Sequence, residues 1–318
     1  MSDDGSGLVL GPQYDGDDAF RRRMRAHQSW YRAAVLNVGY GVGPNEGSSA
    51  SYGNYLEVEA AERGDNFLNE HIWEVVQDRI AQGGGVTRYR CLHNLLSSQP
   101  MCFNLFGQFV GRPHVATPLF SALLPDVVGE VEDVRVEWAP GPKARYLDDE
   151  TSFDAFVKVR RAGDGAPGFL AIETKLTEPF SQKRYGIDHR PAYASWMSRS
   201  DSPWIPESGE QVTDLRWNQL WRNHMLATSL VEDEASPYEF GVPIVVHHPL
   251  DARGVEAVIG YRELLHDPTS IATFDLRQII DRWRALTTAH EDRQWIDRFD
   301  VRYLQLALSE RAAVALRV

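Results

Sequence analysis

The sequence predicts an α/β fold, a mixed sheet with helices packed on it and helical additions at both ends. Three observations carry this. From Ser97 to His248 the pattern runs helix, three strands, helix, strand. The strand segments alternate apolar and polar residues, whereas the flanking segments repeat at helical spacing. The 318 residues are 43% hydrophobic and 25% charged, enough apolar material to bury a core and to exclude a wholly disordered chain.

Residues 1–18 are rich in Gly and Asp and read as a flexible tail. Asp18 to Leu36 carries Phe20, Met24, Trp30, Tyr31 and Val35 at helical spacing, and its Arg21-Arg22-Arg23 run reads as a solvated face. Gly39 to Gly53, with five glycines and a proline, reads as a loop. Asn54 to Ile80 reads as one or two helices, stopped by Gly83-Gly84-Gly85, and residues 19–96 form an N-terminal helical region packed on the core. The core spans residues 97–250. Ser97 or Ser98 caps its first helix, with Pro100 in the first turn. Val131 to Trp138, Thr151 to Arg161 and Phe169 to Leu176 are its strands, the last two joined through Gly163-Asp164-Gly165. Residues 178–212 show no periodicity and form an insertion, whose length points to function or to partial disorder. Thr213 to Thr228 is a helix with Leu215, Gln219, Arg222 and Leu226 along one line, and Val242 to His247 is a buried strand. Residues 251–318 read as C-terminal helices.

The formal net charge of −12 argues against a protein that coats nucleic acid non-specifically. The charge is uneven. Between Lys143 and Arg190, nine basic residues face eight acidic ones, and all four lysines of the chain fall between positions 143 and 183. A compact ammonium of tunable pKa is something arginine cannot supply. No apolar run is long enough for a membrane span, the polar N-terminus lacks a secretory signal, and Cys91 and Cys102 cannot build a disulfide framework or a four-cysteine zinc site. A soluble cytoplasmic protein without membrane partners is the expectation. No phosphate-binding loop, dinucleotide fingerprint, nucleophile elbow or zinc motif is present, and His247-His248 reads as a pair of satisfied histidines near the core.

The chemistry converges on Glu173-Thr174-Lys175. On a strand, Glu173 and Lys175 point to one face, while Leu170, Ile172, Thr174 and Leu176 point to the other. A tight loop with Ala162 opposite Pro167 places Asp154, on the preceding strand, across from Lys175 and one diagonal step from Glu173. Two carboxylates can hold a hard dication while leaving positions for water and phosphate, and an ammonium beside them can orient or deprotonate the attacking water. The tripeptide alone is weak, since an exposed cross-strand salt bridge has the same sequence.

These residues resemble the PD-(D/E)XK nuclease superfamily, with its restriction-endonuclease-like core of helix, three strands, helix and strand. Asp154 looks like the superfamily aspartate, Glu173 like its second acid and Lys175 like its lysine. The chain also resembles a bacterial branch of restriction and defence nucleases in Asn66-Phe67-Leu68, Ser97-Ser98-Gln99, Phe103-Asn104-Leu105-Phe106-Gly107, Thr151-Ser152-Phe153-Asp154, Thr177-Glu178 and Asn218-Gln219-Leu220-Trp221-Arg222-Asn223. The resemblance spans residues 66 to 248. It departs from the pattern in two places: Phe153 stands where proline often precedes the aspartate, and the helix at 97–110 carries no acid.

The resemblance implies a metal-dependent endonuclease acting on nucleic acid, DNA in restriction or anti-phage defence, with Mg²⁺ or alternatively Mn²⁺. Asp154, Glu173 and the Thr174 carbonyl would hold the metal, with Glu137 of the first strand as substitute for the missing helix acid. Gln219 and Arg222, one turn apart, and Lys183 and Arg184 in the insertion are the candidate substrate-binding residues. Phe180, Tyr185, Tyr193, Trp196 and Trp204 interleave with basic residues there, which suits base stacking or equally a cover over apolar surface. A homodimer follows if both strands of a duplex are cut. The competing reading is an inactive nuclease-fold protein that binds nucleic acid or a protein partner.

Overall fold

The computed structural model describes residues 8–181 and 183–315. The elements in chain order are α1 (Ala19–Trp30), β1 (Tyr40–Gly43), β2 (Ala50–Leu56), α2 (Val58–Arg63), α3 (Glu70–Gln82), α4 (Arg88–His93), α5 (Ser98–Phe106), α6 (Pro113–Leu123), β3 (Glu130–Trp138), β4 (Phe153–Arg160), β5 (Pro167–Lys175), α7 (Pro191–Ser198), α8 (Asn218–Glu232), β6 (Phe240–His247), α9 (Ala252–Arg262), β7 (Ala272–Asp275), α10 (Leu276–Leu286), α11 (His290–Tyr303) and α12 (Ala307–Ala315). The chain divides into two compact units. One comprises the residues up to Leu105 together with those from Thr287 on; the other is Phe106–Leu286.

The first unit is helical. Asp18 caps α1 by accepting from Arg21 N at 2.9 Å. Met24, Leu56, Ile72, Val76, Phe103, Trp295, Phe299 and Tyr303 are buried in it. Asn104 binds Leu68 N, the Asn66 carbonyl and Tyr303 OH, which gives the resembling strings around Asn66 and Asn104 a structural purpose. Of the stretch read as a flexible tail, residues 1–7 lie outside the described residues. Further on, Gly53 N donates to the Pro12 carbonyl at 2.8 Å, and Asp17 is buried against Arg25. Gly39 to Gly53 is no open loop but the antiparallel pair β1–β2. Glycine is required there by close approach: a Cβ on Gly53 would stand 1.9 Å from the Leu10 carbonyl oxygen.

The second unit carries a five-stranded mixed sheet in the order β3-β4-β5-β6-β7. β3, β4 and β5 form an antiparallel meander, and β6 and β7 add in parallel. This is the α/β architecture the sequence predicts, with α8 between β5 and β6 as read. Besides α7, inside the insertion read as aperiodic, two elements escaped that reading. α6 contains Pro113 and Pro118, which obscure its helical signal; Pro113 occupies the first turn, where a missing N–H costs nothing. β7 has only four residues.

The sheet has two apolar faces. On one, Ile172, Ile244, Val246 and Phe274 meet Leu119 and Phe120 of α6 and Ile279 of α10. On the other, Phe156, Phe169, Ala171 and Val245 join a cluster with Leu220, Trp221 and Met225 of α8 and Tyr261 of α9. Phe180, Tyr193, Trp196 and Trp204 of the insertion belong to that cluster, so their rings cover the sheet and are not presented to bases.

Candidate active site

β5 brings the candidate residues together because of its alternation. Phe169, Ala171, Glu173 and Lys175 share one face, and the residue type changes from apolar to charged along the strand. Arg160 pairs with Pro167 and Ala155 with Ile172, and Arg161 N donates to the Ala166 carbonyl, so the turn begins one residue earlier than predicted and the register shifts. Continued one residue further, this register would set Asp154 across from Glu173 rather than Lys175, and the charge of Asp154 does act on Glu173. Backbone pairing ends at Ala155–Ile172, and beyond it Asp154 Oδ2 accepts from Thr174 N (2.7 Å) and Thr174 Oγ1 (2.8 Å).

Glu173 and Lys175 are 3% and 5% exposed, while Asp154 is half-buried. Lys175 Nζ donates to Glu173 Oε1 at 2.6 Å and to Gln219 Oε1 at 2.9 Å. Gln219 Nε2 donates to the same Glu173 oxygen at 2.6 Å, and Asn223 Nδ2 to Glu173 Oε2 at 2.7 Å. Gln219 and Asn223 are one turn apart on α8, so a single helix face grips the carboxylate. Asn223 escaped the sequence reading, although its spacing from Gln219 is the signal that finds it.

The electrostatics follow from crowding. Burial, then the neighbouring charge of Asp154, pushes the Glu173 carboxyl up to about 7, against the pull of Lys175 and Asn223. Burial works to lower the Lys175 ammonium, but the charges of Glu173 and Asp154 outweigh it and hold the pKa above its usual value. The cluster thus has two carboxylates for one ammonium, and Lys175 is the charged form.

The remaining candidates fall into place as follows. Glu137 is buried and lies on β3 between the partners of Phe153 and Ala155. Its φ of 53° is a left-handed conformation that interrupts the ladder there, at a cost of about 1–2 kcal/mol. Arg222 turns away from the carboxylate pair: it donates to Tyr193 OH (3.0 Å), Asp149 (3.2 Å) and Thr151 (2.5 Å) and stacks on Tyr185 at 4.3 Å, clamping the insertion to α8. Arg184 is exposed and donates to Thr213 Oγ1 at 2.8 Å, and Lys183 is exposed on the insertion. His247 is buried beside Lys175 in register, its Nδ1 3.0 Å from the His248 carbonyl.

With this geometry in hand, the comparison with protein families is direct. A family model described as PD-(D/E)XK nuclease superfamily matches residues 15–305. The chain belongs to the PD-(D/E)XK nuclease superfamily. No curated protein and no solved structure matches it. Membership of this nuclease superfamily makes nucleic acid the substrate class and phosphodiester hydrolysis the reaction class, and its members usually use divalent metals. No described helix is long and apolar enough to cross a membrane.

The donor set fits such a metal. Asp154 and Glu173 repel one another, and a dication between them would relieve that repulsion. Among the described residues no group of three or more His, Cys, Asp or Glu side chains is arranged to hold an ion. Two carboxylates suit Mg²⁺, which keeps several waters and takes the rest of its octahedron from substrate.

Proposed function

We propose that this superfamily member is a metal-dependent endonuclease that hydrolyses DNA phosphodiester bonds in bacterial restriction or anti-phage defence. The observation that carries the reading is a buried Glu173 carboxylate with Lys175 Nζ 2.6 Å away and the charge of Asp154 acting on it. Asp154, Glu173 and the Thr174 carbonyl are the assigned ligands for Mg²⁺ or Mn²⁺, and Glu137 is the remaining acid of the assignment. Bound there, the ion would lower the pKa of a water and offset charge on the scissile phosphate. Lys175, held as an ammonium, orients the attacking water and stabilises charge developing on the phosphate oxygens. Gln219 and Asn223 fix the rotamer of Glu173, so its oxygens need no reorganisation when substrate arrives. Burial of Glu173 and Lys175 keeps bulk water from screening them. Lys183 and Arg184, exposed on the insertion, are assigned to the sugar–phosphate chain, and Arg222 to holding the insertion. A two-fold dimer would bring two such centres to opposite strands. The competing reading, a binding protein without catalysis, is favoured by one observation: both Glu173 oxygens already accept protein hydrogen bonds.

Digestion of single- and double-stranded DNA and RNA, with Mg²⁺ and with chelator, tests the proposal. Mg²⁺-dependent cleavage of DNA is the expected result. Binding of DNA without cleavage under either condition supports the non-catalytic alternative.

A further inference from the structure

The two assigned metal carboxylates are held in different ways. Glu173 belongs to β5 and is gripped by Gln219 and Asn223 of α8. Asp154 stands at the start of β4, one residue before the pairing with β5 begins at Ala155. On its other side, β3 pairs with Phe153 and Ala155 and is interrupted at Glu137 between them. Asp154 Oδ2 accepts from Thr174, but the backbone that carries it comes out of an irregular segment. Between Trp138 and Phe153 the chain forms only a short 3₁₀ turn, Lys143–Arg145. Residues 149–152 lie outside the strand ladders, so side chains must fix them.

Two sets of contacts tie this segment to α8. Away from the centre, Arg145 and Tyr146 OH donate to Asp233, at 2.5 and 3.0 Å, just past the end of α8. Close to the centre the tie is Arg222. Asp149 accepts from Thr151 N at 2.8 Å and from Thr151 Oγ1 at 2.9 Å, which makes a compact turn. Arg222 Nη2 donates to Thr151 Oγ1 at 2.5 Å and to Asp149 Oδ2 at 3.2 Å, while Nε donates to Tyr193 OH at 3.0 Å. Tyr193 OH in turn donates to Asp149. The guanidinium stacks on Tyr185 at 4.3 Å, and Asn218 clasps the Tyr185 backbone by its N–H and its carbonyl, at 3.3 and 2.9 Å.

Water screens little of this, because the Arg222 and Asp149 side chains are 15% and 7% exposed. Burial works to raise the Asp149 carboxyl, but hydrogen bonds from Tyr193 and Thr151 and the Arg222 charge hold it below its usual range. Arg222 follows Gln219 by three residues and precedes Asn223 directly. The helix that grips Glu173 therefore also holds the turn three residues before Asp154. We infer that Arg222 is a positioning residue for the metal pair: by locking Asp149 and Thr151 to α8, it holds the Asp154 end of β4 in place beside Glu173. The inference rests on the nuclease reading and its metal assignment. Lysine cannot stand in, since the site uses a planar fork with bonded edges and a stacked face. Groups that orient metal ligands from behind carry about 10–100-fold of metal affinity.

Binding of Mn²⁺ to the full-length protein, followed by electron paramagnetic resonance of the free ion, tests this. The proteins compared are wild type, Glu173→Gln, Arg222→Met, Arg222→Lys, Thr151→Val and Thr151→Ser, each checked for folding by circular dichroism. Mn²⁺ affinity is expected to fall about tenfold or more in Arg222→Met and Arg222→Lys. It falls about threefold in Thr151→Val, which loses one hydrogen bond. Thr151→Ser keeps the hydroxyl and binds as wild type does. Thr151→Val is the gentler change and decides the matter if Arg222→Met does not fold. Wild-type affinity in folded Arg222→Met or in Thr151→Val overturns the inference, as does Thr151→Ser binding no better than Thr151→Val. The Glu173→Gln control separates the two claims. Binding that weakens in Glu173→Gln but not in Arg222→Met refutes the role of Arg222 and leaves the metal assignment standing. Binding that is absent from wild type, or indifferent to Glu173→Gln, removes the metal assignment and the inference with it.

Discussion

Two clusters of buried charge, one in each unit, have opposite characters. In the helical unit Arg302 is fully buried and donates to the Asn66 carbonyl (2.6 Å), the Asn66 side chain and Gln28 Oε1 (3.4 Å), with Tyr31 and Tyr303 stacked around it. Arg25 nearby in that unit binds Asp17 and Asn54. Those guanidiniums are matched by acceptors already in the chain. In the sheet unit, Glu173 is gripped by Lys175, Gln219 and Asn223 with the charge of Asp154 acting on it, and its carboxyl is displaced to about 7. The first cluster leaves its ionic groups settled; the second holds a carboxyl far from its usual range. Perturbed groups of that kind mark functional sites, which is why the proposed function is placed there.

Substitutions should separate the two sharply. Glu173→Gln is expected to lower cleavage by about 10³-fold or more, with thermal unfolding unchanged or shifted upward because a like-charge contact is removed. Arg302→Met should do the reverse: unfolding free energy falls by about 3 kcal/mol, since several buried acceptors lose their donor, as read by urea denaturation. Equal effects of the two variants on stability would erase the distinction.

How much of this was legible follows from particular residues. The period of two in Phe169–Lys175 placed Glu173 and Lys175 on one face, where they are hydrogen-bonded; the contacts of Asp154 to Thr174 are ones that parity does not reveal. The register was displaced because the alternation fixes the face but not where the turn sits, and the turn at Arg161–Ala166 lies one residue earlier than the loop assumed. Arg222 looked like a site residue because it follows Gln219 by one turn. Its partners Asp149 and Tyr193 are 73 and 29 residues away in sequence, beyond what local pattern reveals. The hairpin β1–β2 was hidden by its own glycines, and α6 by its prolines.

The pH response sharpens the comparison further. Glu173 titrates near 7 in the folded state and near 4.5 unfolded, so its contribution to stability is complete below 4.5 and is lost as pH rises to about 7. His224, buried and pushed down to about 4, has the opposite sign: its contribution is lost as pH falls from 6.5. The expected readout is therefore a difference. Between pH 4.5 and 7, in chelator, Glu173→Gln gains stability relative to wild type as pH rises, and Mg²⁺ narrows that gap by favouring the ionised pair. A flat difference curve would show that Glu173 is not strained by its neighbours.

A smaller effect is expected one residue out. Asn223→Ala removes the hydrogen bond to Glu173 Oε2 and should cost about 1–2 kcal/mol of stability, leaving an acceptor unpaired. Its cleavage rate should fall about tenfold, with Asn223→Gln restoring part of the loss. An unaltered rate would remove Asn223 from the positioning of Glu173.

The most direct test is the rate of plasmid cleavage in Mg²⁺ by Lys175→Ala beside wild type, with folding verified by matching circular-dichroism spectra at the assay temperature. A drop of about three orders of magnitude in the folded variant is predicted, because the assigned role of the ammonium is to orient the attacking water and answer charge on the phosphate. Equal rates from the two proteins would contradict the assignment of this cluster as the catalytic centre.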